Sequence, residues 1–263
     1  MKTLKKTFLI AVIVIMYAPI LILAFYSFTD SANIGAFQSF SVENYITLFT
    51  TEDLRQMIIG TLLLAILVSV ISTIFGTLGA IGAFYSGKKI NRTISSVNQI
   101  PVVNADVVTG FSICILLVIV FGIDKESYIP LIVGHVTLCA PFVFLSVLPK
   151  LKQMDSSLYE AALDLGATPY MALTKVIIPQ ISSGIISGFA LAVTLSLDDY
   201  FIATYTKPAH FDTISTYVVN ATKGSQTEIK TALWALSTII FVIVIAIVLI
   251  ANLKTESKEG ELN

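Results

Sequence analysis

Six stretches of about twenty residues, 8–28, 57–85, 99–121, 129–148, 181–203 and 232–252, are dominated by apolar side chains. A hydrocarbon core of about 30 Å takes about 20 helical residues to cross. A globule of 263 residues cannot hide six such runs from water. The chain is 56% hydrophobic and only 13% charged, half the charged share of a soluble domain, about 25%. The bilayer is therefore the expected solvent. The same composition excludes a disordered chain, a collagen, a coiled coil and a disulfide-stapled secreted scaffold. A net charge of −1 excludes nucleic-acid binding by bulk electrostatics. Cys114 and Cys139 lie in apolar runs and read as small core residues rather than a redox pair.

These runs predict an all-α integral membrane protein of six transmembrane helices. The second run is long enough to tilt, and the third and fifth are weaker because they carry acids. Lys2, Lys5 and Lys6 precede the first run as in a signal peptide. The run exceeds a signal core of about 7–15 residues and no small-x-small cleavage site follows, so it reads as an uncleaved anchor. Orientation follows the basic residues. With the N-terminus inside, the inner segments hold eleven (Lys2, Lys5, Lys6, Lys88, Lys89, Arg92, Lys150, Lys152, Lys175, Lys254, Lys258). The outer segments hold five (Arg55, Lys125, Lys207, Lys223, Lys230). Both termini are therefore expected in the cytoplasm. No connection between runs is long enough for a soluble catalytic domain, so a single membrane domain, residues 1–263, is expected, with a cytoplasmic loop at 150–180.

Gly82 to Lys88 matches the spacing of a phosphate loop, but Lys89 stands where Ser or Thr would hold magnesium, and the motif leaves a membrane helix rather than a strand. Lys88 and Lys89 read as positive-inside anchors. No cofactor is expected to be bound by this chain. Gly76, Gly79, Ala80, Gly82 and Ala83 give the inner half of the second run small-xxx-small spacing, which suits close helix packing. His135, with no acid at helical spacing on its own run, reads as a buried hydrogen-bonded histidine rather than a proton relay. Asn91-Arg-Thr93 and Asn220-Ala-Thr222 match glycosylation sequons by chance.

The strongest signal is Ser157-Leu-Tyr-Glu160-Ala161-Ala162-Leu-Asp164-Leu-Gly166-Ala-Thr168-Pro169, continuing to Val176-Ile-Ile178-Pro179. Ser157 with Glu160 three residues on predicts a capping box and a helix from Leu158. Gly166 is a left-handed terminator. Thr168 caps a second helix with Pro169 at its first position, and Pro179 is expected to end it. Leu158, Ala161, Ala162 and Leu165 form one apolar face of the first helix. This helix is about 12 Å long, too short to stand alone, so its own bundle or a partner must hold it. Glu-Ala-Ala, three residues, Gly, nine residues and a branched-x-apolar-Pro ending resembles the signature loop of the permease subunits of ATP-binding-cassette importers. The resemblance implies a loop that docks into a groove of the ATPase, with Glu160, Ala161, Ala162, Gly166 and Pro179 as its coupling residues.

Three carboxylates, Asp106, Asp198 and Asp199, lie inside the third and fifth runs. An isolated charged Asp at mid-bilayer costs about 2.5–3.5 kcal/mol. Neither run holds a Lys or Arg, so a cationic cargo would supply the missing counter-charge. Counted along straight helices, Asp106 lies about 10 Å deep and Asp198 about 26 Å. Asp198 and Asp199 differ by about 100° around a helix, so one faces a pathway and the other a neighbour. Tyr200, Phe201, Tyr205, Tyr45 and Phe49 cluster toward the same end; each tyrosine alone reads as an interface anchor. The outer segments carry eight acids to five bases, a field that argues against sulfate, phosphate or molybdate.

Asn104-Ala-Asp106-Val-Val, Thr194-Leu-Ser196-Leu-Asp198-Asp199, the Glu160–Gly166 segment and the Tyr45 region are similar to those of polyamine (spermidine/putrescine) importer permeases. The likeness covers essentially the whole chain. It implies Asp106, Ser196, Asp198, Asp199 and Tyr45 as pathway residues. It also implies a cytoplasmic ATPase dimer, a second permease subunit in a heterodimer and an extracytoplasmic polyamine-binding protein as partners, besides membrane lipid. The family often carries Pro-Asp in the third run; here Ala105 precedes Asp106, which removes that cause of a local kink, although Pro101 lies four residues upstream of Ala105. The expected function is the permease subunit of an ATP-driven polyamine importer, not itself an enzyme, in the bacterial plasma membrane. A proton-coupled carrier with Asp198 and Asp199 as relay, a membrane scaffold and an importer of another cation such as thiamine are the rivals.

Overall fold

A computed structural model describes residues 2–30, 39–155, 157–223, 231–242 and 245. Among the described residues the regular elements are all helices, apart from one isolated bridge between Thr29 and Phe40. The chain divides into two compact units, residues 1–56 with 218–263, and residues 57–217.

In the first unit, α1 (Lys2–Ser27) supplies a membrane-length apolar stretch, Lys6–Ser27. Its end is tied to the short α2 (Glu43–Thr50). The buried Asn44 donates from Nδ2 to the carbonyls of Ser27 and Thr29, both at 3.0 Å. An amide serves there because two carbonyls freed by the end of α1 need donors. The helix Thr231–Val242 belongs to the same unit, with Trp234 edge-on to Tyr26 at 6.3 Å and Phe241 tilted against Tyr17 at 6.4 Å. The expected sixth run, 232–252, lies beyond residue 242 outside the described residues except Ile245.

Helix α3 (Glu52–Tyr85), 34 residues long, carries the chain from the first unit into the second. Helix α6 (Ile129–Gln153) is the centre of the second unit and continues five residues past the expected end of its run. Lys150 and Lys152 lie in its last turn, where cations suit the helix dipole. Together with Lys6–Ser27, these are the three helices among the described residues that are long and apolar enough to cross a membrane. Two bent pairs raise the number to five if each counts as one crossing.

Those bent pairs revise the picture of straight third and fifth spans. The third is broken between α4 (Lys88–Val103) and α5 (Asp106–Val120), which meet at 102°. Pro101 lies within the last turn of α4, where its missing N–H removes an intrahelical bond. Asn104 and Ala105 are both extended, with ψ 147° and 135°. Asn104 Nδ2 then donates to Thr109 Oγ1 at 2.9 Å, tying the turn to α5. The kink is therefore present without a Pro-Asp pair. The fifth run enters through α8 (Pro169–Gln180), bent by 70° into α9 (Ser182–Asp198). It breaks again at Asp199 and resumes as α10 (Phe201–Thr206). Residue counts along straight axes thus do not give the depths of Asp106 and Asp198: each acid sits at a helix end.

Close helix packing comes from small residues. On α9, Gly184, Gly188, Ala192 and Ser196 recur every fourth position and are all buried. A Cβ on Gly188 would stand 3.2 Å from the Val143 Cα, and one on Gly184 would stand 3.0 Å from the Ser146 carbonyl oxygen, both on α6. On α3, a Cβ at Gly76 would lie 2.8 Å from the carbonyl oxygen of Ala140, whereas one at Gly82 would meet nothing within 4 Å. The small-residue stripe anticipated on α3 is therefore a contact at Gly76 and open at Gly82. Gly82 to Lys88, the phosphate-loop look-alike, runs from the last turn of α3 through Ser86 into α4, with Gly87 at the α4 N-cap.

Candidate functional site

Two places in the second unit carry chemistry: the loop after α6 and the paired helix breaks. In the loop, α7 (Ser157–Asp164) does not start by the expected box. Its onset is held by Asp155, whose Oδ1 accepts from the Ser157 N–H at 2.9 Å and from Ser157 Oγ at 2.8 Å. Asp competes well for this position because its carboxylate is a stronger acceptor than a hydroxyl. These bonds hold the Asp155 carboxyl below the usual aspartate range. The termination is as expected from glycine. Gly166 has φ +86°, and the bonds Gly166 N to Leu163 O and Ala167 N to Ala162 O close the end of α7. Thr168 Oγ1 accepts from the Met171 N–H at 3.3 Å, with Pro169 in the first turn of α8.

Helix α8 ends one residue past Pro179, at Gln180, before the 70° bend into α9. Ahead of the proline it widens into a π-helical stretch, Leu173–Ile177. The wider turn accommodates the proline ring and its missing N–H. The apolar face of α7 is also divided. Ala162 is buried, but Leu165 is 89% exposed, and Tyr170 and Met171 beyond the turn are exposed with it. Ala162 is held by the bundle, while Glu160, Ala161, Gly166 and Pro179 are on the surface. Tyr159 ties α7 to the end of α3, its ring 5.1 Å from that of Tyr85.

The helix breaks present the acids differently. Asp106 begins α5 and is exposed. Asp198 ends α9 and is exposed. Neither has a hydrogen-bond or ion-pair partner among the described residues, and no Lys or Arg occurs in α5, α9 or α10. Asp199 is buried. Its Oδ1 accepts from the Ile202 N–H at 3.2 Å and its Oδ2 from the Ala203 N–H at 2.8 Å, which caps α10. Its Oδ2 also lies 3.5 Å from Nε2 of His135 on α6. Sequence reasoning placed His135 correctly as buried and hydrogen-bonded but missed this acid, which arrives from another helix. Spacing along one helix cannot show such a partner.

Helix α10 is wedged between α5 and α6. A Cβ on Gly110 would fall 2.9 Å from the Ile202 Cα, and one on Gly134 would fall 2.6 Å from its side chain. Asp106 on α5 is thereby brought within electrostatic reach of Asp199. Ser196 is buried on the stripe of α9 that faces α6, with no hydrogen-bond partner for its Oγ among the described residues. Tyr45 belongs to the first unit, where its hydroxyl lies 2.9 Å from Ser27 Oγ and its ring 4.9 Å from that of Phe28. Among the described residues no group of three or more His, Cys, Asp or Glu is arranged to hold a metal ion.

The chain is similar to known proteins in sequence and in fold. Residues 73–255 match the family described as binding-protein-dependent transport system inner membrane component. The chain is 30% identical to the spermidine/putrescine transport system permease protein PotC of Haemophilus influenzae, over 96% of each chain. It is 31% identical to the putrescine transport system permease protein PotI of Escherichia coli K12, over 86% of this chain and 81% of that one. Among solved structures, a bacterial alginate ABC transporter in complex with alginate pentasaccharide-bound periplasmic protein aligns with TM-score 0.72 at 18% identity, covering 94% of this chain and 91% of that one. The MetNI methionine ABC transporter aligns with TM-score 0.55 at 18% identity, covering 75% and 95%. With a glycine-turned surface loop on an all-helical membrane bundle of ABC importer permease fold, this chain belongs to the inner-membrane components of binding-protein-dependent transport systems.

Proposed function

We propose that the chain is one permease subunit of an ATP-driven importer of polyamines, and that a partner ATPase, not this chain, hydrolyses the nucleotide. Six crossings with both termini in the cytoplasm fit the distribution of basic residues, and residues 150–180 form the cytoplasmic coupling loop. The names of its relatives carry spermidine and putrescine. The observation that supports a cationic cargo most directly is the pair of exposed carboxylates without a partner among the described residues, Asp106 at the 102° break between α4 and α5 and Asp198 at the end of α9, where the chain breaks before α10. Broken membrane helices place polar groups at ligand sites because irregular backbone is tolerated only along a cavity or within protein.

A polyamine is a chain of ammonium groups joined by methylenes. Carboxylates spaced along a pathway replace part of the water that each ammonium gives up, and weak sites let the cargo move on. Asp106 and Asp198 are the residues free to do this. Ser196, Asp199 and Tyr45 are engaged in helix contacts or side-chain bonds and act from behind the pathway. At the other site, Leu165, Tyr170 and Met171 around the Gly166 turn offer an apolar tip to an ATPase groove, with Glu160 beside it. Ala162 and Tyr159 link that tip to the bundle, so a pull on the loop reaches α3 through Tyr85. A second permease subunit and an extracytoplasmic binding protein complete the assembly.

The reading as a proton-coupled carrier draws on the His135–Asp199 pair but leaves the exposed loop tip without a role. The deciding experiment is ATP-dependent uptake of labelled spermidine into vesicles holding the assembled complex, with Asp198→Asn and Glu160→Lys beside wild type. Loss of uptake with retained ATPase assembly for Asp198→Asn, and loss of the ATPase for Glu160→Lys, support both halves. Normal transport by Asp198→Asn removes the cargo assignment, and uptake driven by a proton gradient without ATP removes the importer.

A further inference from the structure

We propose that His135 and Asp199 form a buried, internally neutral pair that pins the break after α9, so that Asp199 is a positioning residue and, of the two adjacent acids, Asp198 is the one left to meet cargo. The geometry sets the protonation. His135 Nδ1 lies 2.9 Å from the Leu131 carbonyl oxygen, which can only accept, so Nδ1 carries a hydrogen. Nε2 then faces Asp199 Oδ2 at 3.5 Å, with the two side chains 0% and 3% exposed. A bare nitrogen lone pair against a carboxylate oxygen would be repulsive, so one proton resides between them. Two backbone N–H donors at 3.2 and 2.8 Å stabilise the negative form of Asp199. Whichever partner holds that proton, the pair is neutral overall, and its place holds Asp199 at the start of α10. Asp106 on α5 and Cys139, one turn along α6, are the other ionisable groups facing it.

Three consequences follow from this placement. The carboxyl of Asp199 is engaged within the chain, which separates it from the unpartnered Asp198 one residue earlier. The same carboxylate caps α10, whose Ile202 is clamped between Gly110 of α5 and Gly134 of α6. One side chain thus fixes where α9 stops and where α10 starts, and with them the direction of Asp198. A buried pair is worth little against apolar replacements but breaking one side strands a charge, which makes the pair a register device for the break.

The inference rests on the importer reading only for its transport arm. The test is a double-mutant cycle of His135→Gln and Asp199→Asn in the complete complex in nanodiscs. It is read by melting temperature and by ATP-driven uptake of labelled spermidine delivered by the binding protein. Each single change is expected to lower the melting temperature by several degrees and slow uptake about tenfold. The double variant, which removes both ionisable groups and keeps an amide oxygen to cap α10, is expected to recover at least half of the melting loss and return uptake to within threefold of wild type. Asp198→Asn is expected to stay slow when combined with His135→Gln. Additive melting losses, or a double variant as slow as Asp199→Asn alone, would overturn the pair and return Asp199 to the pathway. Should Asp199→Asn fail to assemble, recovery of assembly in the double variant supports the pair and its failure overturns it. If wild type moves no spermidine, the cargo reading fails while the melting cycle still decides the pair.

Discussion

Replacing Gly166 isolates the contribution of one backbone angle to coupling. Its φ is +86°, and a Cβ built there meets nothing within 4 Å. A substitution therefore brings no clash, only the cost of holding an L-residue in the left-handed region, about 1–2 kcal/mol. That cost falls on the loop conformation that presents Leu165, Tyr170 and Met171. If the partner binds this conformation, its population falls about 5–30-fold for Gly166→Ala, and the apparent Kd for the ATPase rises by the same factor. Gly166→Asn is expected to lie between Gly and Ala, because Asn tolerates this region, and Gly166→Val beyond Ala. The assay is titration of the ATPase dimer onto the permease complex in nanodiscs, with a thermal melt of each variant. The melts are expected to coincide within a few degrees, since α7 is short and exposed. An Ala variant that binds within twofold of wild type, or an Asn variant weaker than Ala, refutes the reasoning.

Other outcomes follow from the same structure. Gly76→Ala is expected to cost about 1–3 kcal/mol, since its Cβ would sit against the Ala140 carbonyl oxygen. Gly82→Ala is expected to be neutral or to stabilise by up to about 1 kcal/mol, because nothing lies near it and α3 gains helix propensity; melting of the two variants in one detergent checks the contrast. Asp155, its carboxyl held low by Ser157, stabilises the start of α7 above the ordinary aspartate range, about pH 4. That contribution is lost as the pH falls through the lowered folded value. Protection of the amides at residues 157–160, relative to their intrinsic exchange, is therefore expected to fall only in acid for wild type and to be low at every pH for Asp155→Ala. Thr168→Ala is expected to weaken the first turn of α8 by about 1 kcal/mol, seen as faster exchange at Met171.

What the sequence determined alone is what local chemistry settles. Long apolar runs require a bilayer, so the membrane class was legible from composition and run length. Glu160 to Gly166 was legible because helix, glycine turn and Thr-Pro restart are each fixed by residues within a few positions. The resemblance to importer permeases lay in that same local spacing. Even there, one cap moved from Ser157 to Asp155, because Asp and Ser were both close enough to compete for the onset of α7. The tertiary structure decided everything that depends on a second helix. It broke the third and fifth runs: Pro101 weakens α4 locally, and the 102° bend that follows sets α5 close against α10 at Gly110. It separated Gly76 from Gly82, because a glycine is tight or open only in relation to a neighbour. It also placed two adjacent aspartates in opposite environments, Asp198 exposed and Asp199 buried. Asp198 and Asp199 are indistinguishable by type and spacing, but His135 lies 64 positions before Asp199 along the chain, and only the meeting of α6 with the end of α9 brings its imidazole within 3.5 Å of that carboxylate.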